Sequence, residues 1–207
     1  GEADHEGRLE SALEQVHTLI HLIGGPLPGG DVTVEWLNLI TTEVALKAAA
    51  NAGVRRVLFL SPLGADAASE DPYLAAKGRA EEAISRAAME HAIFRCAPIV
   101  GPGSAFTSAL ERGLSSAALM NPVAVDDVGL ALVAADMRDA ELRGTWELGG
   151  PETMTPGELA ARLGTRAGAL TRVLRGAPKE LAALYQRDQI ADPSEAVRQF
   201  GFSLAPV

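Results

Sequence analysis

The stretch Val54-Arg55-Arg56-Val57-Leu58-Phe59-Leu60-Ser61-Pro62-Leu63-Gly64, with Pro72-Tyr73-Leu74-Ala75-Ala76-Lys77 just beyond it, decides how this chain is read. Val57 to Leu60 is an apolar run rich in β-formers that ends at Ser61, which predicts a strand over Val54 to Leu60. Pro72 suits the first turn of a helix, where a missing N–H costs nothing. The helix that follows is expected to reach about Met89, with Tyr73 and Lys77 four residues apart on one face. A strand that delivers a serine, then a helix that presents a tyrosine and a lysine, is a constellation able to move a proton.

Outward from this stretch, strand and helix patterns alternate. Leu9 to Leu13 reads as the end of a short helix, and Val16 to Ile23 as a buried strand stopped by Gly24-Gly25-Pro26. Pro26 to Asp31 is loop. Trp36 to Ala52 has helical spacing, with Gly53 as its C-cap. After the Tyr/Lys helix come a short strand at Ala92 to Arg95 and a Gly/Pro loop at Pro98 to Gly103. Ser104 caps a helix through Leu110 to Leu114. Val123 to Val125 is a short strand, and Asp126 or Asp127 caps a helix from Val128 to Met137. Gly144 to Leu148 is the next strand. Thr155-Pro156-Gly157-Glu158 is a capping box that starts a helix to Leu163. Two tail helices are expected, around Leu181 to Tyr185 and from Ser194 to Phe200. This alternation predicts an α/β fold: a doubly wound, mostly parallel sheet covered on both faces. The expected division is a main domain over residues 1–150 and a small C-terminal lobe over 151–207.

The totals narrow the function classes. In 207 residues, 47% are hydrophobic, enough for one sizeable core. Mean hydropathy is +0.11. A net charge of −9 argues against a nucleic-acid surface, which needs clustered Lys and Arg. One cysteine, Cys96, excludes an intrachain disulfide and fits a reducing compartment. No apolar run is long enough to span a membrane, and Gly1 to Arg8 has no signal-peptide pattern. A cytoplasmic protein is the expectation.

In a doubly wound sheet, ligands bind at the carboxyl ends of the strands. Three segments fall there: Gly24-Gly25, Ser61 with Gly64, and Ala97-Pro98. An ammonium near a phenol favours the phenolate, so Lys77 is expected to lower the Tyr73 pKa. Tyr73 could then exchange a proton with a carbonyl or alcohol whose oxygen Ser61 also hydrogen-bonds. Taken alone, a Tyr/Lys pair at this spacing arises by chance on many helices. Ser61 has a plainer reading too, since a serine often ends a strand by bonding the turn.

Several matches occur in order: Val54 to Ser61 with Gly64; Tyr73-x-x-x-Lys77-x-x-x-Glu81; and Phe94-Arg95-x-x-Pro98-Ile99-Val100-Gly101-Pro102-Gly103. This set resembles the short-chain dehydrogenase/reductase superfamily. More narrowly it is similar to the atypical, NmrA-like branch that includes an accessory subunit of respiratory complex I and is related to NAD-dependent epimerases and dehydratases. His21 to Gly25, Asn38 to Gly53, Asn121 to Val128 and Trp146 to Pro151 with Thr155 and Glu158 extend the resemblance over roughly Asp4 to Leu163. It implies a Rossmann-like fold and NAD or NADP as cofactor. Gly24, Gly25, Ser61, Tyr73, Lys77, Ala97, Pro98 and Ile99 would line the cofactor. Ser61, Tyr73 and Lys77 would be the catalytic set. The partner it implies is a small-molecule substrate, with a homodimer as an option; no nucleic acid and no membrane span are expected. Two functions stay open: an oxidoreductase or epimerase-like enzyme acting on a carbonyl or hydroxyl, and a regulatory or assembly protein that holds the nucleotide without turnover.

The sequence departs from that family at its start. It has no G-x-x-G-x-x-G turn, and Glu2-Ala3-Asp4 resembles the end of the family's third strand. The Met120-Asn121 join is abrupt, and the tail near Gly176 is short. Two readings follow, a natural deletion of the first β-α-β unit or, the one favoured, a longer natural chain in which that unit lies.

Other polar residues have bland readings. His17 and His21 fit packed or edge positions, with no third partner at metal-ligand spacing, and no metal site is expected. Cys96 fits a buried thiol. Arg95 fits either a structural ion pair or a substrate clamp. Glu81 and Glu82 are expected on a solvated helix face.

Overall fold

Val57, Leu58 and Phe59 are buried whichever way their side chains point, the mark of a strand with a layer on each face. They lie in β2 (Arg56–Pro62) of a computed structural model that describes residues 6–164 and 178–207. Glu2 to Asp4 and Gly176, singled out above, lie outside the described residues. The chain divides into two compact units, Gly1–Arg95 with Leu132–Trp146, and Cys96–Ala131 with Glu147–Val207.

The first unit begins with α1 (Glu6–Ala12), β1 (Thr18–His21), a π-helical turn at Trp36–Ile40, and α2 (Thr41–Asn51). After β2 come α3 (Pro72–Arg86) and β3 (Glu90–Cys96). The sheet runs in the order β1-β2-β3-β6, with β6 at Arg143–Leu148, and is mostly parallel with flanking helices. β1 pairs in parallel with β2, Thr18 opposite Arg56 and His21 opposite Phe59. One core cluster joins Leu39 and Leu46, Val57 and Phe59, Ala80 and Ile84, and Ile93. The helices thus bury one stripe each against the sheet.

Two expectations need correction here. Val16 to Ile23 is not a buried strand: β1 covers only four residues at the edge of the sheet, and Ile20, Leu22 and Ile23 are exposed. An apolar run reads as interior, but burial depends on a neighbour that the run cannot specify. Glu81 is not on a solvated face; it is buried and paired with Arg95, while Glu82 is exposed and pairs with Arg86 one turn on.

At the start of β2, Arg56 is 1% exposed and fully engaged. Its Nε and Nη2 donate to Glu90 Oε2 at 3.0 and 2.7 Å. Nη1 donates to the carbonyls of Ala135 and Asp136, and Nη2 to those of Arg138 and Ala140. The guanidinium so meets the last carbonyls of α5 (Val125–Asp136), where a cation is favoured. Burial pushes the Glu90 carboxyl up, but hydrogen bonds from Arg56 and Arg55 outweigh it and hold the pKa below the usual carboxylate value.

The second unit contains β4 (Ile99–Val100), α4 (Ala105–Glu111), β5 (Val123–Ala124), α6 (Pro156–Arg162), α7 (Lys179–Leu184) and α8 (Ser194–Phe200). β4 and β5 pair in parallel. Ser104 caps α4, and the expected Thr155/Glu158 capping box starts α6. Its core gathers Phe106, Leu110, Met120, Met154, Leu159 and Leu181. α5 begins at Val125, three residues earlier than expected, so Asp126 and Asp127 stand in its first turn. Asp127 does not cap: its Oδ2 accepts from the Ala205 N–H at 2.8 Å. No helix among the described residues is long and apolar enough to cross a membrane.

Candidate active site

Asp71 sets the start of α3: its Oδ1 accepts from the N–H groups of Tyr73 and Leu74 at 2.9 and 3.1 Å, with Pro72 at the first helical position. That cap fixes where Tyr73 leaves the helix, and Tyr73 is half-buried. One turn later Lys77 is only 5% exposed. A buried ammonium must be compensated. Nζ donates to the Leu60 carbonyl at 2.7 Å and stands 4.0 Å from the centre of the Phe59 ring. The lysine therefore docks on β2 beside Ser61.

Ser61 is the sixth of seven residues in β2, inside the strand rather than just past it. Its Oγ is buried and has no hydrogen-bond partner among the described residues. The turn-bonding reading of Ser61 is thus not what the structure shows. An unmet buried hydroxyl costs on the order of 1–3 kcal/mol, so it marks a place where something else is bonded or the cost is tolerated.

The glycine turn after β1 closes on the same lysine. Gly24 has φ 146°, and a Cβ on it would stand 2.7 Å from Asn38 Oδ1 and 3.1 Å from Lys77 Nζ. Only glycine leaves that approach open. Gly25 is held at both backbone groups by Asn38, whose Oδ1 accepts from the Gly25 N–H at 2.8 Å and whose Nδ2 donates to the Gly25 carbonyl at 2.9 Å. Asn38 is fully buried within the π-helical turn, a local geometry frequent at functional sites. Sequence reasoning missed Asn38. The available signal was an asparagine on the buried side of a helical pattern, where its side chain competes with the helix unless it has a specific partner.

His21, at the end of β1, stacks on the Phe59 ring at 5.9 Å, and its Nε2 lies 3.1 Å from Thr42 Oγ1. Burial, with the Lys77 charge second, drops its pKa to about 4. The imidazole is therefore neutral at neutral pH. It is a buried core residue, whereas His17 is exposed and bonded to Thr18.

Ala97, Pro98 and Ile99 belong to the second unit. There the Ala97 N–H donates to the Leu148 carbonyl at 2.8 Å, the Pro98 carbonyl accepts from Val123 at 3.0 Å, and Ile99 pairs with Val123. Within the first unit the structure brings together Gly24, Gly25, the Leu60–Ser61 end of β2 and Lys77, with Tyr73 one turn up α3. Cys96 is buried.

A mostly parallel sheet, a glycine turn and a serine at the ends of adjacent strands, and a buried lysine on the following helix define a Rossmann-like α/β protein. No family model matches the chain. It is 34% identical over 167 residues to subunit 9 of the mitochondrial NADH dehydrogenase (ubiquinone) 1 alpha subcomplex of Arabidopsis thaliana, covering 75% of this chain and 42% of that protein. It is 30% identical over 162 residues to the 40 kDa subunit of the mitochondrial NADH-ubiquinone oxidoreductase of Neurospora crassa, covering 73% and 42%. The chain thus spans 42% of the length of each curated relative. Among solved structures it is similar to a UDP-glucuronic acid 4-epimerase of Bacillus cereus in complex with UDP-glucuronic acid and NAD, with a TM-score of 0.70, 18% identity, and 96% of this chain and 74% of that one covered. These likenesses are consistent with an atypical short-chain dehydrogenase/reductase protein of Rossmann-like fold. Both curated relatives are mitochondrial proteins, which overturns the expectation of a cytoplasmic one.

Proposed function

We propose that the chain binds NAD or NADP and that Ser61, Tyr73 and Lys77 form a proton-transfer site for a carbonyl or hydroxyl of a small molecule, as in an oxidoreductase or epimerase-like enzyme. The observation that carries this reading is the buried, unbonded Ser61 hydroxyl one residue beyond the carbonyl that holds Lys77. The residues fit the nicotinamide-ribose end of the cofactor: Gly24 keeps the approach to the lysine ammonium clear of side chain, and Ser61 has a hydroxyl to offer. Lys77, Tyr73, Gly24 and Gly25 would hold that end. Bound there, the nicotinamide would supply or accept a hydride.

The remaining chemistry falls to the chain. Ser61 Oγ donates to the substrate oxygen and orients it. The Tyr73 hydroxyl gives a proton to that oxygen or takes one from it, and the fixed positive charge of Lys77 favours the phenolate form. Asn38 keeps the glycine turn in place against the lysine.

A second reading is favoured by a specific observation: the curated relatives are subunits of mitochondrial NADH dehydrogenases. In that reading the same residues hold the nucleotide without turnover, inside a larger assembly. One experiment separates the two. Fluorescence titration with NADH and NADPH is expected to show saturable binding of at least one. Assay against carbonyl compounds and sugar nucleotides is then expected to show turnover that falls about 10²- to 10⁴-fold in Tyr73→Phe. Binding with no turnover leaves the second reading, and no binding of either nucleotide overturns both.

A further inference from the structure

Tyr73, Lys77 and Glu81 recur every four residues on α3, and the third of them is bonded to Arg95. Glu81 is 6% exposed. Arg95, the penultimate residue of β3, donates from Nε to both carboxylate oxygens at 3.1 Å and from Nη2 to Oε2 at 2.6 Å. The same Nη2 donates to the Ala65 carbonyl at 3.2 Å. Ala65 lies in residues 63–71, the segment that connects Ser61 to Tyr73. That segment is pressed on α3 one residue past Lys77, where a Cβ on Gly78 would overlap the backbone of Asp66 and Ala67. It is bonded there too, since the Asp66 N–H donates to the Leu74 carbonyl at 3.2 Å.

We propose that Arg95 and Glu81 form a latch that holds residues 63–71 against α3 and so sets the spacing between Ser61 and Tyr73. Both act as positioning residues, and the inference rests on the reading of Ser61 and Tyr73 as the reacting pair. The planar guanidinium is what the geometry requires. A fork can hold a carboxylate along one edge while a remaining N–H reaches a carbonyl, whereas an ammonium on a flexible stem cannot span both in fixed directions.

The test uses the whole chain, isotopically labelled, as wild type, Arg95→Lys, Arg95→Met and Glu81→Gln. Exchange protection of the Asp66 and Ser69 amides, both hydrogen-bonded, is expected to fall about tenfold in Arg95→Lys and Arg95→Met alike. Residues 57–59 and 92–94 should change by no more than about twofold, and Glu81→Gln should lose about threefold because its amide still bonds Arg95. With only two tyrosines in the chain, fluorotyrosine labelling gives one probe at Tyr73 and an internal control at Tyr185. The Tyr73 resonance should shift or broaden in both Arg95 variants while that of Tyr185 stays. Unchanged exchange, an equal loss across the strands, an Arg95→Lys that behaves as wild type, or an unmoved Tyr73 signal each overturns the latch. Failure of the wild type to bind NADH would overturn the proposed function instead, and leaves the latch to be judged by the exchange and fluorine results.

Discussion

The two ends of β2, a strand of seven residues, obey opposite rules. At its first residue, Arg56 is buried with its donors spent on Glu90 and on carbonyls of residues 135–140. At its sixth, Ser61 is equally buried and its hydroxyl meets nothing among the described residues. One end lowers free energy by completing every bond, and the other leaves a bond open. In an open α/β sheet, that is the difference expected between the amino ends of the strands, which hold the fold, and the carboxyl ends, where ligands bind.

The sharpest way to break this contrast is at Arg56. Arg56→Ala leaves the buried Glu90 charge to Arg55 alone and several carbonyls unbonded, and is expected to cost about 3–5 kcal/mol in urea unfolding. A loss under about 1 kcal/mol would mean that the amino end is not the stabilising one. Acid is the next largest lever. Unfolded histidine takes up its proton near 6.5, while His21 in the fold resists until about 4, so the unfolded state binds more protons between those values. Stability should therefore fall as pH drops through that window, by about 3 kcal/mol from His21 at its lower end. The pKa of His91 is also lowered, by burial first, and acts in the same direction. A His21→Asn variant is expected to show a flatter unfolding profile from pH 6.5 to about 4 than the wild type.

Smaller effects sharpen the carboxyl end. Gly24→Ala forces an L-residue to positive φ and crowds Lys77, and should weaken NADH binding about tenfold in a fluorescence titration, for a backbone cost of about 1–2 kcal/mol. Ser61→Ala removes the unmet hydroxyl. Thermal unfolding should show it neutral or up to about 1 kcal/mol more stable, while any turnover is lost. If Ser61→Ala were instead strongly destabilising, the two ends of β2 would not differ in kind.

Much of this was legible in the residues. The Val54-to-Lys77 stretch predicted β2 and the proline-led α3, because each rests on local signals: an apolar run and a proline. The Thr155 capping box was equally local. What escaped depends on partners distant in sequence. Glu81 read as solvated because Arg95 lies 14 residues away on a strand. β1 read as buried because its apolar run does not record that, among the described residues, it lies at the edge of the sheet. Asn38 escaped because its partner Gly25 is 13 residues back and the π-helical turn has no compositional mark.

The Arg56 anchorage also has a consequence for the order of events during synthesis. Its carbonyl partners lie 79 to 84 residues further along the chain. Residues 96–131 must emerge before those carbonyls do, and they belong to the other unit. The first unit therefore cannot close its last bonds as it leaves the ribosome. It waits, with Glu90 holding Arg55 and Arg56 but the Arg56 carbonyl bonds unmade, until a foreign stretch has passed and the chain returns. Such long-range closure slows folding and prolongs the interval in which a half-built sheet is exposed to other chains.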